Sequence, residues 1–156
     1  MAEGEFALVQ KYLKIALHKT AAWVGEHDLY AMLAETAAQQ RDESALQKYA
    51  PLAEEFASRY YHKLYLAIAH RAWGVAHLLA GEFSDAESRL NQALELFSGL
   101  NTRYQMGRTL FELGELAAGQ SNIPKAHDHF TRALDAFEAM SALPDVARTR
   151  ARIATL

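Results

Sequence analysis

Seven histidines and nineteen acidic residues are the side chains best suited to chemistry in this 156-residue sequence, and cysteine is absent. Without cysteine there is no disulfide, thiolate nucleophile or cysteine zinc site. His70 and His77 stand seven apart on one helical face, at positions expected to pack. His127 and His129 stand two apart, which points them to different faces. No His-Glu-x-x-His motif occurs, so neither metal nor cofactor is expected. Asp42-Glu43 and Glu54-Glu55 are paired carboxylates, expected to cap a helix start and line a wet face. No nucleophile elbow, phosphate-cradling loop or dinucleotide fingerprint is present, and the chain is expected not to be an enzyme. Arg59-Tyr60-Tyr61-His62-Lys63 mixes bases with aromatics, as nucleic-acid sites do. The formal charge of −3 argues against nucleic acid, and those aromatics are expected to pack between helices.

The elements that carry these residues are helical. Alanine is abundant, β-branched residues are few, and only Pro51, Pro124 and Pro144 interrupt. Charges break every apolar run well short of a membrane span. Met1 to Phe6 holds two glutamates and no basic stretch, unlike a secretory signal. A cytoplasmic protein without a membrane partner is expected, and the missing cysteine agrees.

A repeat organises the helices. Phe83, Ala86, Leu90, Ala93, Leu94 and Phe97 recur 40 residues on as Ile123, Ala126, Phe130, Ala133, Leu134 and Phe137. Their spacing marks one helical face. Trp73-Gly74 returns as Leu113-Gly114 at the same offset, so each repeat is a helical hairpin. A glycine inside a helix costs about 1 kcal/mol against alanine, and close approach of a neighbouring helix explains its use. A third copy lies upstream. There Ala45, Tyr49, Leu52 and Phe56 align at an offset of 41, which requires a one-residue deletion in the turn, and Leu33-Ala34 takes the Trp-Gly place. Ser84-x-x-Glu87 reads as a capping box, and Pro124 sits at a helix start. The expected organisation is a single domain. It comprises an N-terminal capping helix in 1–27, repeats in 28–60, 66–100 and 106–140, and a C-terminal capping helix in 144–156.

These residues resemble the tetratricopeptide repeat: His70, Trp73, Gly74, His77, Ala86, Leu90 and Ala93 in one copy, and Leu110, Leu113, Gly114, Ala117, Ala126, Phe130 and Ala133 in the next. The family unit is about 34 residues. The longer unit here is similar to repeats of MalT-type regulators and other large bacterial signalling proteins. The resemblance implies an all-α, right-handed superhelical solenoid of about seven or eight helices. Its concave groove would be lined by the first helix of each repeat.

Counting from the repeat glycine, the family's groove positions fall on Arg71, Val75 and Leu79, on Arg108, Phe111 and Glu115, and on Arg148, with Asp28, Ala31, Glu35, Ala38 and Gln39 in the first copy. The resemblance therefore implies a groove of arginines around apolar Val75, Leu79 and Phe111, suited to an acidic or C-terminal peptide. The family's carboxylate-clamp subtype carries asparagine directly after the glycine. Val75 and Glu115 stand there, so a chaperone C-terminus is not the expected ligand. The leading expectation is a non-catalytic scaffold binding a protein or peptide. Alternatives are a ligand-sensing fragment of a larger signalling protein and a self-associating solenoid, with homodimerisation through the terminal helices.

Overall fold

The computed structural model describes residues 8–9, 11–16 and 25–156. Residues 8–9 and 11–16 are helical and belong to α1. Then follow α2 (Glu26–Gln40), α3 (Glu43–Arg59), α4 (Lys63–Leu79), α5 (Phe83–Gly99), α6 (Arg103–Gly119), α7 (Ile123–Ala139) and α8 (Leu143–Ile153). No strand occurs among the described residues. Phe6, Leu17 and Ala22-Trp23-Val24, assigned by sequence to the N-terminal cap, lie outside them.

The five helices α3 to α7 are each 17 residues long and start 20 residues apart. Their ends explain the constancy. A left-handed residue closes every helix from α2 to α7: Arg41, Tyr61, Gly81, Asn101, Ser121 and Ser141, with φ between 52° and 76°. The next residue's N–H then reaches the carbonyl five positions back. Asp42 bonds Ala37, His62 bonds Ala57, Glu82 bonds His77, Thr102 bonds Phe97, Asn122 bonds Ala117 and Ala142 bonds Phe137, at 2.8–3.1 Å. This termination satisfies the last carbonyls and turns the chain sharply. Asp42 and Asn122 cap the following helices, accepting from the backbone N–H of Ala45 (3.0 Å) and Lys125 (3.2 Å). The capping box expected at Ser84 does not form. α5 starts two residues earlier than that box requires, Glu82 occupies its N-cap without a side-chain bond, and Glu87 pairs with Lys125 at 2.6 Å.

The upstream copy holds the same 40-residue offset, with no deletion. Leu46, Ala50, Ala53 and Ala57 are fully buried, in step with Ala86, Leu90, Ala93 and Phe97. The neighbouring stripe stands out in the sequence because three of the four true core residues are alanines. Of that stripe, Tyr49 is buried and Leu52 and Phe56 are half-buried.

Consecutive helices pack in hairpins, and the hairpins stack into a helical solenoid. The repeat glycines sit at the closest crossings. A Cβ on Gly74 would lie 2.6 Å from Leu90 Cγ, and one on Gly114 would lie 2.6 Å from the Phe130 ring. Three apolar clusters run along the stack. Leu13, Leu33, Leu46 and Val75 anchor the first, and Ile68 and Phe97 the middle one. Leu90, Leu113, Phe130 and Phe137 anchor the last. None of the described helices is long and apolar enough to cross a membrane.

Candidate binding surface

The first helices of the hairpins, α2, α4, α6 and α8, carry the positions in question. At its centre the surface is closed by its own side chains. Arg71 on α4 is only 2% exposed. It donates through Nη2 to Glu35 Oε2 and Gln105 Oε1, both at 2.7 Å. Through Nη1 it donates to the Gln105 carbonyl (3.1 Å) and Thr109 Oγ1 (3.3 Å). Its guanidinium also lies 4.9 Å from the Phe97 ring centroid. Arg108 of α6 pairs with the other oxygen of Glu35, so one carboxylate on α2 ties two arginines on two further helices. Beside it, Arg41 after α2 pairs with Glu112 of α6 at 2.7 Å. Both cross-links run from the first hairpin to the third, over α4.

The electrostatics follow from this clustering. Burial alone would push Glu35 up. Arg71 and Arg108 outweigh it, and the pKa falls from its ordinary 4.5 to about 2. Burial lowers Arg71, while the carboxylates raise Arg108 against its own desolvation. Both guanidinium groups remain charged, as their basicity requires.

The groove expectation changes accordingly. Arg71, Val75 and Phe111 do not face an open groove. Val75 is fully buried, and Phe111, 5% exposed, packs edge-on against Phe130 with centroids 5.2 Å apart. Leu79 is exposed at the end of α4. Arg108 is mostly covered by its ion pair. Glu115 is half-buried and accepts from Arg152 Nε at 2.7 Å. Arg148 is the most open of the arginines singled out. Nearly half exposed (47%), it pairs with Asp145 at 3.2 Å and lies 4.2 Å from the centroid of the Phe111 ring. Asp145 also accepts from Tyr104 Oη at 3.0 Å.

Sequence spacing therefore brought Glu35, Arg71 and Arg108 together and left Leu79 apart. It missed Arg41, Gln105, Thr109 and Arg152. Gln105 and Thr109 share one face of α6, four residues apart. A buried arginine at the Ala31 and Phe111 register required such acceptors, and that was the available signal.

His70 shows the packing role expected of it. Arg89 donates to Glu54 (2.6 Å) and to His70 Nδ1 (2.9 Å). Burial lowers the imidazole pKa, Glu54 opposes this and Arg89 adds to it.

Helical hairpins stacked in one direction, with a shared polar face along their first helices, define a repeat-solenoid protein. Residues 64–139 match the family model of the tetratricopeptide repeat. With the all-helical architecture, this match makes residues 64–139 tetratricopeptide repeats within a helical solenoid of that type. Members of that family generally mediate protein–protein interaction and are generally non-catalytic. Among curated proteins, no relative matches the sequence.

Proposed function

We infer that the chain is a non-catalytic adaptor. It binds an acidic segment of a protein partner at the α6–α8 end of the first-helix surface. Arg148 carries the reading: a half-exposed guanidinium resting on Phe111 and held by a single carboxylate. A guanidinium offers five N–H donors in a fixed fork, which suits a partner carboxylate. Arg152, paired to Glu115, lies one helical turn further along α8. Arg71 and Phe111 act beneath this surface as its support.

Fluorescence anisotropy with a Glu/Asp-rich peptide tests the reading. Wild type binds it, affinity falls as salt rises, and Arg148→Glu with Arg152→Glu loses at least about tenfold. Equal binding by both proteins, or none by either, overturns it.

A second reading, self-association through α1, is favoured by one observation: Leu8, Val9, Tyr12 and Ile15 are all exposed on it. Light scattering at high concentration distinguishes a dimer abolished by Tyr12→Lys from a monomer throughout.

A further inference from the structure

The turn between α4 and α5 departs from its two copies at three register positions. Where His77 stands, the flanking repeats carry Ala37 and Ala117, both buried. Where Glu82 stands, they carry Asp42 and Asn122, which cap the following helix through backbone hydrogen bonds. Where Asp85 stands, they carry Ala45 and Lys125. In the middle turn the capping bond is given up. The Glu82 side chain instead reaches back across the turn, bringing Oε2 to 2.6 Å from His77 Nδ1. Gly81, the single glycine among the six left-handed turn residues, connects them. One potential ligand atom from each of His77, Glu82 and Asp85 lies within 4.8 Å of the other two. The imidazole is held from behind. Trp73, one helical turn earlier, stacks on it at 5.5 Å with planes 20° apart, and Arg89 lies 5.6 Å from the Trp73 ring.

We propose that His77, Glu82 and Asp85 form a binding site for one divalent transition-metal ion of the zinc class. The ligands are the imidazole Nδ1 and one oxygen from each carboxylate. Zinc accepts such mixed nitrogen and oxygen donors at about 2.0–2.2 Å, which sets ligand atoms roughly 3.4 Å apart in a tetrahedron. Glu82 and Asp85 are both exposed, so their side chains rotate to that spacing without disturbing packing. The half-buried His77 provides the fixed corner. Water completes the coordination. The ion ties the last turn of α4 to the first turn of α5 and stiffens the middle repeat. Sequence spacing hid the site, because its ligands are five and eight residues from His77, across a turn rather than along one helix. The proposal is independent of the binding surface on the first helices.

Calorimetric titration of the whole chain with Zn2+ tests it. The variants are His77→Ala, Glu82→Asn and Asp85→Lys. Each introduces the residue that stands at the same register in the third repeat, where the fold accepts it. Circular dichroism confirms the fold before titration. The expected result is one ion per chain with micromolar affinity, weakened more than about fivefold by each variant. Cu2+ quenches Trp73 fluorescence in wild type and not in His77→Ala. No saturable one-to-one binding up to millimolar Zn2+, or an affinity within about fivefold of wild type in His77→Ala, overturns the proposal.

Discussion

Glu35 decides most at the level of single residues. Its carboxylate is largely covered on α2 and serves two guanidinium groups. A carboxylate whose pKa is lower folded than unfolded stabilises fully above its unfolded value and loses that contribution as pH falls through the folded one. For Glu35 the window runs from 4.5 down to about 2. Wild type should lose on the order of 3 kcal/mol across it from this group alone. Glu35→Gln should be less stable at neutral pH and flatter over the same range, as chemical denaturation at a series of pH values will show. Arg71→Leu leaves that carboxylate short of a buried partner and should cost about 3–5 kcal/mol, with the same variant less damaging when Glu35→Leu is added. Gly114 gives the packing counterpart. A methyl there meets the fully buried Phe130 ring. Gly114→Ala should therefore destabilise by about 1–3 kcal/mol in spite of its better helix propensity. The Gly114→Ala step should cost much less in a Phe130→Ala background, the pair that Ala34 and Ala50 form in the first copy, as thermal melts will show.

Among the elements, the turns set the architecture, and one turn residue, Tyr61, opposes its backbone. Tyr61 occupies a left-handed position with φ 53° while its side chain is 92% exposed. Bulky side chains are disfavoured there and glycine is not. Tyr61→Gly should raise stability by up to about 1 kcal/mol, and Gly81→Ala should lower it by a similar amount. Pro51 sits exposed within α3, at the register of Asn91 and Thr131. Pro51→Ala restores a backbone hydrogen bond and should add about 2 kcal/mol after the unfolded-state effect is deducted. The helices themselves were legible in the sequence because Leu90, Phe97, Phe130 and Phe137 are large and regularly spaced. The register of the upstream copy was not, since Ala50, Ala53 and Ala57 give almost no contrast with the stripe beside them. The capping box at Ser84 misled for a related reason. Motif and boundary differ by a residue or two, and only the left-handed turn at Gly81 fixes where α5 begins.

For the whole molecule, a strict 20-residue alternation of helix and turn gives one solenoid, and the fold was legible from its glycines and its 40-residue period. The binding surface was legible in part. Spacing from the glycine found Glu35, Arg71 and Arg108 on one face. It could not tell that α2 and α6 approach closely enough for Glu35–Arg108 and Arg41–Glu112 to bridge over α4. That closeness is a property of the stack and turns the centre of an expected groove into a buried ion-pair network. The recognition we propose is therefore placed at the α6–α8 end, around Arg148 and Arg152. Salt should affect the two regions differently, because exposed pairs are screened and buried ones are not. Raising ionic strength should weaken peptide binding while leaving the unfolding midpoint nearly constant.

The most direct test of this account is an amide chemical-shift map of the isotope-labelled chain titrated with the acidic peptide. Perturbations should concentrate in α6 and α8, around Arg108, Glu115, Arg148 and Arg152, with saturation in fast or intermediate exchange. Perturbations confined to α1 or to the second helices α3, α5 and α7, or none at saturating peptide, would contradict it.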